Sequence, residues 1–234
     1  YRIDAAPAPH RHYPDLRTVA GDAAEVAWGL VDGLSARKPW AAERVADIKH
    51  SVTTAARERG PVEMGYLDAI AGGSATPRLI AGDMTKAAFW AVKYLPSRPR
   101  AVHALSSYLA MGTALPMAIG MSVATGEPVL TIVGDGGMQM SIAELTTLAE
   151  LRLPVTILVL VDDAYGLLRD NGRLVSGSEN VGVALWNPDF HRLADAYGID
   201  AVTLSSAADL ADALEKPATA PRLLMITEGF ARRW

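Results

Sequence analysis

The chain has 234 residues, 22 Lys and Arg against 26 Asp and Glu for a formal net charge of -4, no cysteine, 50% hydrophobic residues and 6% aromatics. A slightly acidic balance without a basic run leaves no electrostatic footprint for nucleic acid or an anionic membrane, and the lack of cysteine excludes disulfides, thiolate metal sites and cysteine nucleophiles. The longest apolar runs, such as Pro154 to Val161, have strand length and cannot span a bilayer, and nothing resembles a signal peptide, so a soluble, cytoplasmic setting is the default expectation.

Tyr1-Arg2-Ile3-Asp4 reads as the end of a strand without its start, and no Met precedes it, as expected of a piece of a longer polypeptide. Residues 5 to 20 are rich in Pro and His and irregular in pattern. Gly21-Asp22 leads into Ala23 to Leu34, where Val26, Leu30 and Leu34 at i, i+4 and i+8 predict an amphipathic helix. Ser35 to Pro39 interrupts the pattern, and the charged stretch from Ala41 to Arg59 predicts a solvated linker helix. From Pro77 onward, short apolar runs alternate with longer helical patterns. Strands are predicted at Arg78–Ala81, Arg100–His103, Pro128–Val133, Val155–Val161, Asp200–Thr203 and Arg222–Thr227. Helices are predicted at Lys86–Tyr94, Met111–Ala124, Ile142–Leu151, Asp189–Tyr197 and Ala207–Leu214. Continuously hydrophobic strands separated by helices argue for an α/β fold, a parallel six-stranded sheet with helices on both faces.

In an open parallel sheet, ligands collect beyond the carboxyl ends of the strands. Gly134-Asp135-Gly136-Gly137 follows one predicted strand, and Asp162-Asp163-Ala164-Tyr165-Gly166 follows the next. Between them, Ser141-Ile142-Ala143-Glu144 has capping-box spacing at the start of the crossover helix. One right-handed βαβ unit therefore brings Asp135 and Asp162 to the same sheet edge. Two carboxylates a few ångströms apart repel by roughly 4 kcal/mol at an effective dielectric of about 20 unless a cation or proton intervenes. The glycines around Asp135 leave backbone N–H groups bare, as a phosphate requires. Carboxylates, a phosphate cradle and no sulfur ligand point to Mg²⁺ or Ca²⁺ with a phosphorylated ligand, not to zinc.

These residues resemble the C-terminal half of thiamine-diphosphate-dependent enzymes of the acetolactate synthase and 2-oxo-acid decarboxylase group. The family signature is Gly-Asp-Gly, some 25 residues, then Asn-Asn; here Gly134-Asp135-Gly136 is followed by 25 residues and Asp162-Asp163. Glu144-Leu145, Leu153-Pro154-Val155, the run from Met111 to Gly120, Asn187-Pro188-Asp189-Phe190 and Ala196-Tyr197-Gly198 also look like the family's sequence, so the likeness covers roughly residues 60 to 230. Ile3-Asp4 and Gly21-Asp22-Ala23 resemble the end of the family's middle domain.

The resemblance implies three segments: a middle-domain tail over residues 1–36, a linker helix over 37–59 and a pyrophosphate-binding domain over 60–234. It implies thiamine diphosphate and Mg²⁺ as cofactors, with Asp135 and Asp162 ligating the metal by side chain and Ala164 by its carbonyl. Gly134, Gly136, Gly137, Met138, Tyr165, Gly166 and Leu167 are implied around the diphosphate, and Gly82, Asp83, Met84 and Thr85 on its other side. Met111 matches the bulky residue that props the cofactor in its bent form. The aspartate pair departs from Asn-Asn and adds a negative charge beside an anionic cofactor. The activity implied is decarboxylation or carboligation of a small 2-oxo acid. It needs an activating glutamate from a pyrimidine-binding domain, upstream in the polypeptide or on a separate subunit, commonly across a homodimer or tetramer interface. Without that domain these residues are expected to catalyse nothing; Glu144 in the crossover helix is no substitute, and His103, after a strand, reads equally as facing a substrate or as a satisfied strand-end histidine. Whether the middle domain carries FAD is not legible. The alternative is a non-catalytic subunit that keeps the fold around a decayed cofactor site; a Rossmann-type nucleotide domain is weaker, because no Gly-x-Gly-x-x-Gly follows the first strand.

Overall fold

In the computed structural model, residues 2–5, 16–34, 42–96, 102–104, 108–177 and 181–227 are described. The chain divides into two compact units, Tyr1–Lys49 and His50–Trp234. In the first, β1 (Arg2–Asp4) pairs in parallel with β2 (Thr18–Ala20), and α1 (Ala23–Asp32) follows. Asp22 caps α1 by accepting from the N–H groups of Ala24 and Glu25 at 2.9 and 3.2 Å, and Gly33 closes it, two residues before the predicted end. β2 lies in the stretch whose pattern predicted no structure, because a three-residue strand is defined by its distant partner rather than by periodicity. The predicted break at Ser35–Pro39 lies outside the described residues. α2 (Ala42–Arg59) is the expected charged helix and buries only Ala56 among its residues.

The second unit continues with α3 (Pro61–Gly72), β3 (Leu79–Gly82), α4 (Lys86–Tyr94), β4 (Val102–Ala104), α5 (Ala114–Thr125) and β5 (Val129–Gly134). Then come α6 (Asp135–Met140), α7 (Glu144–Leu151), β6 (Val155–Leu160), α8 (Gly166–Ser176), α9 (Phe190–Ala196), β7 (Asp200–Leu204), α10 (Ala207–Ala213) and β8 (Arg222–Ile226). The start of the strand predicted from Arg100 lies outside the described residues. Six strands form one sheet in the order β4-β3-β5-β6-β8-β7, and every neighbouring pair is parallel. This is the α/β architecture expected from the sequence. Among the described residues no helix is long and apolar enough to cross a membrane.

The strands read as continuous apolar runs because both faces of the sheet are covered. Alternate residues point to opposite faces. Leu158 and Leu160 of β6 pack with Leu130, Ile132, Leu224 and Ile226 beneath α3, α4 and α10. Val155, Ile157 and Val159 pack with Val129, Val133, Leu223 and Met225 beneath α5, α7 and α9.

The capping box predicted at Ser141 does not form. The Ser141 hydroxyl donates to the Gly137 carbonyl at 3.2 Å, and α7 begins after Ala143 without a side-chain cap. Ser141 instead closes the short helix α6, which starts directly from β5.

Candidate functional site

The carboxyl ends of β3, β5 and β6 open on a cavity of about 360 Å³ in the second unit. Gly134 and Leu160 are register partners at the ends of β5 and β6, so Asp135, one residue on, and Asp162, two residues on, leave the same edge of adjacent strands. Both border the cavity.

Asp135 is 1% exposed. Its Oδ1 accepts from the Gly136 N–H at 2.9 Å, and its Oδ2 accepts from the Asp163 N–H at 2.8 Å and from Asn187 Nδ2 at 2.7 Å. Burial pushes its carboxyl above the ordinary carboxylate range, and the Asn187 amide and the backbone N–H groups oppose that rise. Asn187 also donates to Asp163 Oδ1 at 2.8 Å, and its own carbonyl accepts from Gln139 Nε2 at 2.6 Å. Gln139, Asn187 and Asp135 thus form a hydrogen-bonded relay. Asp163 holds φ at 53°, a left-handed conformation that Asp tolerates better than most residues, and this turns its N–H onto Asp135.

Asp162 is also raised, by burial first and by the neighbouring Asp135 charge second; Arg169 and then Lys86 oppose the rise. Arg169 Nη2 lies 3.0 Å from Asp162 Oδ2. The antiparallel bridge of Ala164 with Ala184 fixes the backbone beyond Asp162, with the Tyr165 N–H donating to the Val183 carbonyl at 2.8 Å and the Leu185 N–H to the Asp163 carbonyl at 2.8 Å.

Two glycines are required here by close approach. A Cβ on Gly136 would lie 2.6 Å from the Tyr165 ring, and one on Gly166 would overlap Asp162 Oδ2. Gly134 is different: a Cβ there would meet nothing nearer than Thr85 at 3.9 Å, so its bare backbone adjoins open space.

Of the residues expected at the site, Asp83, Met84 and Thr85 border the cavity from the end of β3 and Met111 from the turn before α5. Gly134 to Gly137 border it from β5 and α6, and Asp162 and Ala164 to Leu167 from β6 and α8. Gly82 and Met138 do not border it. Gly82 lets α4 approach β3, since a Cβ there would meet Ala88 at 2.9 Å, and the Met138 side chain is fully buried in the core under α5. His103 lies within β4 opposite Ala81 and does not border the cavity.

Asp83 has a further task. Its Oδ1 accepts from the Met84 and Gly112 N–H groups at 2.7 and 3.1 Å, and its Oδ2 from the Ala114 N–H at 3.1 Å. The carboxylate thereby holds the turn through Gly112, at φ 74°, that sets Met111 on the cavity wall. α5 consequently starts at Ala114, three residues later than its apolar pattern predicts.

Sequence reasoning missed Lys86, Arg169, Asp170, Asn187 and Gln139. Asn187 carried the one available signal, its place in Asn187-Pro188-Asp189-Phe190; the others are single charged or amide residues on helices that only the fold brings near Asp135 and Asp162.

Residues 83–227 match the family described as thiamine pyrophosphate enzyme, C-terminal TPP binding domain. The chain belongs to this family. A "Probable 2-ketoarginine decarboxylase" of Pseudomonas aeruginosa is 34% identical over 204 residues, covering 84% of this chain and 36% of that protein. A "Probable acetolactate synthase large subunit" of Methanococcus aeolicus is 32% identical over 141 residues, covering 59% of this chain and 24% of that protein. Among solved structures, the thiamine diphosphate-dependent 4-hydroxybenzoylformate decarboxylase of Rhodococcus jostii RHA1 shares the fold, with a TM-score of 0.62, 24% identity and coverage of 73% of this chain and 32% of that one. The chain therefore spans about a quarter to a third of the length of these relatives. The residues present fit the diphosphate of a thiamine pyrophosphate enzyme: Gly134, Gly136 and Gly137 border the cavity with bare backbone, and Gly134 leaves space where a side chain would stand.

Proposed function

We propose that the second unit holds thiamine diphosphate through Mg²⁺ and forms the diphosphate-binding half of an enzyme that decarboxylates 2-oxo acids or joins their fragments. The observation that carries this reading is the juxtaposition of buried Asp135 with Asp162 at the ends of adjacent strands, on one cavity with glycine-bare backbone. The donor set suits a hard cation, because both side-chain ligands are carboxylates and no Cys occurs in the chain. Among the described residues no three His, Asp or Glu side chains converge as a self-sufficient metal cage. A cation here has to share its coordination with the Ala164 carbonyl and with phosphate oxygens, as Mg²⁺ does at phosphate sites.

Asp135 Oδ2 already accepts two donors, so a cation is left Oδ1. Arg169 takes Asp162 Oδ2 and leaves the other oxygen of that carboxylate. The Gly136 N–H is taken by Asp135 Oδ1, and Gly137, in the first turn of α6, is the glycine whose N–H faces the favoured place for the phosphate charge. Met111 and Leu109 supply apolar wall. When bound, the cofactor supplies the carbanion chemistry for 2-oxo-acid substrates; the chain anchors its diphosphate, orients it and keeps water from it.

The activating glutamate belongs on a pyrimidine-binding domain, in the same polypeptide or on another subunit of a homodimer or tetramer. Tyr108, Leu109 and Leu168 are 95%, 61% and 50% exposed, and the two leucines border the cavity mouth, which suits a surface another domain covers.

The test is calorimetric titration of thiamine diphosphate with Mg²⁺ and then with EDTA, on these 234 residues and on a polypeptide that adds a pyrimidine-binding domain. Cation-dependent binding is expected, and Asp135→Ala abolishes it. No binding to either protein at millimolar cofactor overturns the reading in favour of a non-catalytic subunit with a decayed site.

A further inference from the structure

Four charged side chains form a string whose two ends, Lys86 and Asp162, border the cavity, while Arg169 and Asp170 lie behind that lining. Lys86, the first residue of α4, pairs with Asp170 of α8. Asp170 Oδ1 lies 3.4 Å from Arg169 Nε, and Arg169 Nη2 lies 3.0 Å from Asp162 Oδ2. The side chains are 11 to 21% exposed, dry enough for their charges to be felt across the cavity. Signs alternate along the string. Arg169 touches both carboxylates and is the cation in direct contact with Asp162, whereas Lys86 contacts Asp170 and acts on Asp162 only at longer range.

Such a string could simply brace α8 against α4. The ligands the cavity is proposed to take argue for more. A carboxylate that ligates a cation must also tolerate a diphosphate, and Asp162 and Asp135 together present two negative charges to that anion. A guanidinium keeps its charge at any working pH, and its planar fork can hold one carboxylate oxygen while the other stays open.

We infer that Arg169 is the fixed counter-ion of Asp162, a positioning residue that lets this carboxylate serve as a cation ligand without repelling the diphosphate. The inference rests on the cation and diphosphate reading above. It makes an unusual demand: Arg169 weakens the binding of a cation alone and strengthens the binding of the anionic cofactor. A brace would move both affinities the same way or move neither.

The experiment measures two ligands on four proteins: wild type, Arg169→Gln, Asp162→Asn and the double variant. Free Mn²⁺ is followed by electron paramagnetic resonance, and thiamine diphosphate at saturating Mg²⁺ by calorimetry. Arg169→Gln is expected to bind Mn²⁺ about tenfold tighter and thiamine diphosphate about tenfold weaker. Asp162→Asn binds Mn²⁺ about tenfold weaker, and the double variant returns both affinities to within about threefold of wild type. Arg169→Lys, which keeps the charge, stays within about threefold for both ligands and serves if Arg169→Gln does not fold. Shifts of the same sign for both ligands in Arg169→Gln, or a double variant no better than the worse single one, overturn the inference. So does Arg169→Gln that binds both ligands as wild type does, in which case the cofactor reading stands and only the counter-ion role falls. A wild type with no cation-dependent cofactor binding overturns both.

Discussion

Asn187 shows how one amide can set a site. It bridges Asp135 and Asp163 with its two N–H bonds, at 2.7 and 2.8 Å, and is itself fixed by Gln139. Replacing Asn187 by Ala removes a donor from a carboxylate that is 1% exposed, and a buried acceptor left short of a partner costs about 1–3 kcal/mol. Asn187→Ala is expected to lower unfolding stability by that amount in urea denaturation and to weaken cation-dependent cofactor binding; Gln139→Ala, one bond further out, does less of both. Unchanged denaturation midpoints would show that the Asp135 hydrogen bonds are replaceable. Gly136→Ala acts on the same residues sterically, because its methyl would lie 2.6 Å from the Tyr165 ring. Tyr165 borders the cavity, so displacing its ring is expected to weaken cofactor binding in the same titration. Asp135 and Asp162 were legible in the sequence because each follows an apolar strand at a fixed separation. The pairings of Asn187, Lys86 and Arg169 were not, since contacts between residues 7 to 84 positions apart leave no local pattern.

At the scale of elements, legibility followed periodicity and punctuation. α4 has the limits its sequence predicts, because Ala87, Ala88 and Ala91 give it one buried face and Pro96 follows its end. α3 escaped because Glu63, Met64, Tyr66, Leu67, Ala69 and Ile70 are all buried, so its sequence carries no clean stripe. The helix caps give a direct test of local control. Asp189 accepts from the His191 and Arg192 N–H groups at 3.0 and 3.1 Å and starts α9, which sends Phe190 and Ala194 into the core. Asp189→Ala is expected to cost about 1 kcal/mol, read as a lowered thermal midpoint. A midpoint unchanged from wild type would mean that burial of Phe190 alone specifies the helix start. α8 responds to the site instead. It begins at Gly166, directly against Asp162, and the Ala164–Ala184 bridge ties its base to the segment that carries Asn187. Adding Mg²⁺ and thiamine diphosphate is therefore expected to slow amide exchange from Asp162 to Asn187, and equal protection with and without them would separate α8 from the ligand.

For the second unit as a whole, the parallel sheet does two separable things. Its middle strands are buried on both faces, and that burial fixes the register in which Gly134 meets Leu160 and Asp135 and Asp162 leave the same edge. Leu158 is fully buried at the centre and does not itself border the cavity, so Leu158→Ala is expected to cost about 2–5 kcal/mol. The catalytic demand is of another kind. The cavity is bordered by groups able to hold an anion and a cation, yet Glu144 is placed in α7 and does not border it, and neither does His103. A diphosphate anchor without a carboxylate for the other end of the cofactor binds and does not turn over. If the proposed function is right, these 234 residues release no CO₂ from 2-oxo acids even when saturated with Mg²⁺ and thiamine diphosphate. Joining them to a pyrimidine-binding domain, on the same polypeptide or as a second subunit, brings activity, and Asp135→Ala removes it again. Measured CO₂ release by the 234 residues alone would place the activating group within them and overturn the division of labour.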